Sequence, residues 1–269
     1  MSGDPEAWAA LGRELDAWGG ADRTATFWWR DDDAVAPSAA LDRLLDLAAA
    51  SGAPLALAVI PAKAETALAA RLDGHAAAPT VLQHGYAHRN HAAAGARKCE
   101  LVDPAAHPDL PAELRRGRLH LEELFGQRFR AVLVPPWNRI DPALLAQLPG
   151  LGFTGLSTAK QRPAPEPLPG LVQANCHLDV LQWRPERRFL GTSAALRLLI
   201  GHLAARRGGT AEIAEASGIL SHHLVHDAAA WDFLAELLAR LAAHPAARLL
   251  EAAAVFAARP QRSAMDRRA

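Results

Sequence analysis

Cysteine is nearly absent: Cys99 and Cys176 are the two in 269 residues. They stand far apart and form no CxxC, so neither a disulfide framework nor a structural zinc finger follows. An excess of charge is missing too. Lys plus Arg and Asp plus Glu each total 29, a formal net charge of zero. Long-range attraction to nucleic acid or to an anionic membrane is therefore not indicated. No window approaches the ~18 uninterrupted apolar residues of a membrane-spanning helix. The opening Met1-Ser2-Gly3-Asp4-Pro5-Glu6 has neither the basic nor the apolar region of a secretory signal. With 50% hydrophobic and 22% charged residues, global disorder is not expected either. What these absences leave is a cytoplasmic globular protein, long enough for one large α/β domain or two small ones.

What is present is alternation. Residues 7–18 read as an amphipathic helix with Trp8, Leu11, Leu15 and Trp18 on one face. Strand patterns at 24–30, 55–60, 80–83, 130–134, 153–157, 171–178, 218–222 and 248–250 then alternate with helical ones at 37–50, 65–72, 114–125, 142–148, 193–206 and 228–243. Such alternation implies a parallel sheet, in a barrel or a doubly wound arrangement. Residues 1–23 are expected to form an N-terminal helical extension, 24–258 the alternating strand–helix domain, and 259–269 a polar, frayed tail.

Polar residues collect where these strands end. Asp31-Asp32-Asp33, His84, Trp137-Asn138, Asp179 and His222 each follow a strand. A barrel gathers strand ends at one mouth, whereas a doubly wound sheet spreads them along an edge, so the placement favours a barrel. Three adjacent carboxylates behind the apolar Phe27-Trp28-Trp29 need a counter-charge, from Arg30, a metal, or both. His84 and His88 add two imidazoles four residues apart. Alone, that spacing suits a solvated loop; beside an acidic strand end it suits a catalytic zinc site with an open position for water. Asp32 could then act as general base, and a histidine on a facing strand end as general acid. Asp179 and Trp183 could orient that histidine. Trp137 and Trp183 serve equally well as plain core aromatics, and Asn138 as a turn residue or a donor to substrate.

In this order the pieces resemble the polysaccharide deacetylase family, the NodB-homology domain of carbohydrate esterase family four, from about residue 25 to 250. The resemblance implies a distorted (β/α)7 barrel of parallel strands. It assigns Asp32 as catalytic base, Asp33 with His84 and His88 as ligands of a divalent metal, and Leu220-Ser221-His222 as the motif carrying the acid His222, with His223 and His226 left as alternatives for that acid. Asp31 becomes an extra carboxylate. The fourth motif matches Asp179 to Trp183 loosely. The third departs: where the family has an arginine that tethers the base, this chain has Val134, ahead of Pro135-Pro136-Trp137-Asn138. Arg30 is expected to take over that tether. Trp137, Asn138, Tyr86 and Trp183 become substrate contacts, and a backbone N–H near Tyr86 or 136–138 could help hold an oxyanion. The implied reaction is zinc-dependent removal of an acetyl group from an N-acetylated sugar or glycan. The alternatives are another C–N amide or imide hydrolase on the same barrel, or a non-catalytic carbohydrate-binding barrel. Neither nucleic acid nor membrane is expected as a partner, and the oligomeric state is left open.

Overall fold

The computed structural model of the chain describes residues 4–257; the tail expected at 259–269 lies outside them. In chain order the elements are α1 (Pro5–Gly19), β1 (Ala25–Ala34), α2 (Ala39–Ser51), β2 (Leu55–Val59), α3 (Thr66–Asp73), β3 (Thr80–His84), α4 (Leu110–Phe125), β4 (Phe129–Val134), α5 (Pro142–Leu145), β5 (Gly155–Leu156), β6 (Val172–Gln173), β7 (Cys176–Asp179), β8 (Leu181–Gln182), β9 (Arg188–Phe189), α6 (Thr192–Arg207), β10 (Ser217–Ser221), α7 (Ala228–Ala243), β11 (Ala247–Leu249) and α8 (Ala252–Val255). Local chemistry sets several boundaries. Asp4, Ser38 and Asp227 each accept a backbone N–H at the start of α1, α2 and α7. Gly52 closes α2 in the left-handed region at φ 63°.

Nine strands form one sheet in the order β6-β5-β4-β3-β2-β1-β10-β7, with β11 beside the start of β1. Every pair in it is parallel. The chain beyond β5 turns back onto β7, where Cys176 N–H donates to Thr158 O and Lys160 N–H donates to Cys176 O. The sheet is thereby curled into a half-barrel with helices outside it, an α/β fold of the distorted (β/α)-barrel kind. β8 and β9 form a separate antiparallel pair.

Strand periodicity sorts the core. Phe27 and Trp29 of β1 face the helix layer, with Leu41, Leu44, Leu199 and Leu234. Trp28 faces the barrel interior with Ala58, Leu82, Val134 and Leu220. Trp8, Leu11, Leu15 and Trp18 of α1 are all buried in the helix layer, and α1 packs against α6.

Two expectations change. The first strand does not stop at Arg30 but runs through the three aspartates to Ala34. The anticipated strand 171–178 breaks into β6 and β7, which pair with β5 and β10 respectively. Both ends of that segment look equally strand-like in sequence, and only the curl of the sheet separates them. Among the described residues no helix is long and apolar enough to cross a membrane.

Candidate active site

Alternation along β1 decides what each aspartate meets. Arg30 and Asp32 share the inward parity of Trp28. Arg30 is 0% exposed and Asp32 3%. Their side chains pair at two points, Nε to Oδ1 at 2.8 Å and Nη2 to Oδ2 at 3.0 Å. The rest of the guanidinium is held by Ser157, through its carbonyl at 3.2 Å and hydroxyl at 2.6 Å, and by Asn138 Oδ1 at 2.9 Å. Burial works against a charged guanidinium, yet the Asp32 carboxylate holds the Arg30 pKa above its ordinary value. Arg30 and Asp32 are thus brought together, and Val134 is a buried strand residue. Ser157 gave no signal in the sequence.

Asp31 has outward parity and leaves the site. Its carboxylate accepts from Ser221 Oγ at 2.6 Å and His223 N–H at 3.0 Å, and lies 2.5 Å from His223 Nδ1. Strict alternation would carry Asp33 outward as well. Instead Asp33 takes a left-handed backbone, φ 74°, where the register between β1 and β2 shifts. This irregularity re-aims the side chain. Asp33 Oδ1 then lies 3.1 Å from His84 Nε2 and 3.3 Å from His88 Nε2.

Ring chemistry says what belongs between these atoms. His84 Nδ1 lies 2.9 Å from the Val134 carbonyl, which can only accept, so Nδ1 carries the proton. In a neutral ring Nε2 then presents a lone pair to a carboxylate. Asp33 Oδ1 is buried and has no hydrogen-bond partner. Acceptors facing one another in a buried place call for a cation. Ligands ~2.0–2.2 Å from a tetrahedral zinc stand roughly 3.3–3.6 Å apart, close to the spacing here. Without a cation between them, these groups shift one another toward their charged forms. Burial alone would raise the Asp33 carboxyl, but neighbouring His84, His222 and His88 drive it well below the usual range. Burial alone would lower His84, but Asp32 and Asp33 raise it. His88 is lowered by burial and by His84.

Across the mouth, His222 directly follows β10. Its Nδ1 is buried without a hydrogen bond, 3.9 Å from Asp179 Oδ1. Asp179, whose carboxyl burial raises, accepts from Trp183 Nε1 at 2.7 Å. Trp183 is 44% exposed and sets its ring edge-on to His222 with centroids 4.7 Å apart. Trp137 packs against His88 at 4.5 Å between centroids, with Lys98 Nζ 5.9 Å from the Trp137 ring.

Two expected substrate contacts are otherwise engaged. The Tyr86 hydroxyl accepts from Arg116 of α4 at 3.0 Å, and Arg116 also covers its ring. The Asn138 carbonyl oxygen belongs to Arg30. The Tyr86 N–H, considered above for an oxyanion, donates to Glu100. Glu100 itself escaped notice in the sequence, as a lone acid in a loop.

The sequence matches no protein-family model and no curated protein. Solved structures share the fold. A Mycobacterium smegmatis protein assigned to the polysaccharide deacetylases superposes with TM-score 0.58 at 17% identity, covering 89% of this chain and 95% of that one. A family 4 carbohydrate esterase pseudoenzyme gives 0.53 at 12% identity, over 88% and 68%. A peptidoglycan N-acetylglucosamine deacetylase gives 0.51 at 14%, over 90% and 96%. The chain therefore has the polysaccharide deacetylase fold.

Proposed function

We propose that this protein is a zinc-dependent hydrolase that removes an acetyl group from the nitrogen of an N-acetylated sugar or glycan. One observation carries the reading: the buried Asp33 Oδ1, with no hydrogen bond, faces two imidazole nitrogens at 3.1 and 3.3 Å. The donor set of one carboxylate and two imidazoles suits zinc. A divalent metal held by Asp33, His84 and His88 would supply Lewis acidity to an amide carbonyl and to water.

The chain's own residues account for the remaining steps. Asp32, aligned by Arg30, takes the proton of the attacking water at a carboxylate oxygen. His222, edge-on to Trp183 and near Asp179, donates a proton to the departing nitrogen. Trp183, exposed beside His222, and Trp137, against His88, would offer flat apolar surfaces that suit a sugar ring. The free thiols of Cys99 and Cys176 support a reducing setting such as the cytoplasm.

The test is a panel of N-acetylated amino sugars and short glycans, assayed for acetate with and without a chelator. Zinc-restorable acetate release supports the reading. Ammonia or a ring-opened acid from cyclic imides or ureides would instead identify another C–N hydrolase on the same fold. Metal binding with no turnover on either panel would indicate a binding barrel.

A further inference from the structure

We propose that Glu100 is a positioning residue that sets the metal affinity of the His84–His88 pair by tying down the loop between them. The inference rests on the metal reading above. The two imidazoles are held very differently. His84 ends a strand, and its ring is fixed by the Val134 carbonyl at 2.9 Å. His88 lies out on the loop at φ 55°. Its ring bonds to its own backbone rather than to a neighbouring strand. A non-glycine residue in the left-handed region persists only where its surroundings hold it there.

Glu100 supplies that constraint. It is 1% exposed, and its carboxylate accepts three backbone N–H groups: Tyr86 on Oε2 at 3.1 Å, then Ala87 at 2.8 Å and Arg89 at 3.2 Å on Oε1. These amides bracket His88. Gly85 enters the loop at φ 54°, and a Cβ there would collide with Glu100 Oε2 and the Pro136 ring, so the loop is built around the carboxylate. The Tyr86 carbonyl is pinned in turn by Ala62 N–H at 2.9 Å. Three convergent N–H dipoles make a nest for an anion. Glutamine accepts through only one of its two terminal atoms, so Glu100→Gln sets an NH2 against at least one backbone N–H. The loop then relaxes and the His88 ring drifts from Asp33.

The test measures zinc affinity of the full-length chain by competition with a chelating dye, together with the cobalt(II) absorption spectrum. The original chain, E100Q and E100D are compared. Glu100→Gln should weaken zinc binding roughly 10- to 100-fold, as loss of a residue that orients a ligand does. Its cobalt spectrum should change while the circular dichroism of the metal-free protein does not. A role in stability alone would lower the melting temperature and leave affinity and spectrum unmoved. Should E100Q not fold, E100D, one methylene short of the nest, is expected to bind zinc more weakly for the same reason. A folded variant that binds zinc as tightly as the original chain overturns the proposal and leaves the metal reading intact. An original chain that binds no zinc overturns both.

Discussion

Among the described residues stand two clusters of two histidines and one carboxylate, and distance alone does not tell them apart. Asp33, His84 and His88 meet at the mouth of the half-barrel; His177 of β7, His202 of α6 and Glu215 meet between the sheet and α6. In the first, ligand atoms stand 3.1 and 3.3 Å apart; in the second, 3.4 and 3.8 Å. The proton positions differ. His177 Nδ1 accepts the Gly218 N–H at 3.0 Å, so in a neutral ring the proton is on Nε2, facing Glu215. At the mouth the proton is on His84 Nδ1, and a lone pair faces Asp33. With neutral rings, Glu215 thus meets an N–H from His177, whereas Asp33 meets a lone pair from His84. The Glu215 cluster is further closed by Arg162 at 4.0 Å and by the stacking of its two imidazoles, centroids 3.3 Å apart. The lesson is that a metal site is recognised by which ring nitrogen is left without a proton, not by residue types gathered in a place.

This contrast can be broken or sharpened by experiment. The largest effect is expected inside the mouth. Asp32→Asn should cut kcat about 10²–10⁴-fold, the usual worth of a positioned acid or base, with zinc content unchanged. A rate near that of the original chain would remove Asp32 from the mechanism. Arg30→Lys keeps a charge but loses the two-point grip on Asp32. It should lower kcat at least about tenfold through the misplaced base, again with zinc retained. Unaltered steady-state kinetics would refute the tether.

At the second cluster the expected change is in stability. Glu215→Gln turns an acceptor into a donor opposite an N–H, and should cost about 1–3 kcal/mol in urea unfolding. Acetate release and zinc content should not move; loss of a metal ion with this variant would contradict the contrast.

The smallest effect is in pH. Burial, together with the nearby His177, lowers His202 to about 4 from 6.5. Burial would raise Glu215, but His177, His202 and Arg162 hold it at about 2 instead of 4.5. Both groups bind more protons unfolded than folded, so their contribution fades as pH falls from 6.5 through 4 and on toward 2. Denaturation curves should show this acid loss, with its lower part flattened in E215Q. A slope identical in both proteins would show that Glu215 does not titrate this way.

Much of the mouth was legible because strand periodicity and strand ends are sequence features. Phe27-Trp28-Trp29 marks a buried strand, and His84, Asp179 and His222 fall where such strands stop. The path of β1 through its aspartates was not legible, since a run of three carboxylates ordinarily ends a strand. It continues here because each acid finds its own counter-group: His223 for Asp31, Arg30 for Asp32, the imidazole pair for Asp33. The left-handed turn at Asp33 leaves no trace either, because aspartate tolerates that region without a flanking glycine. Glu100, Ser157 and Glu215 act through fold-backs that no local pattern encodes. Nor does sequence spacing reveal that the Tyr86 hydroxyl bonds to Arg116.

The most direct measurement is the zinc content per chain of the purified protein beside Asp33→Ala and Glu215→Gln. The account predicts one ion in the original chain, none in D33A and one in E215Q. Two ions per chain, or one that survives in D33A and disappears in E215Q, would contradict it.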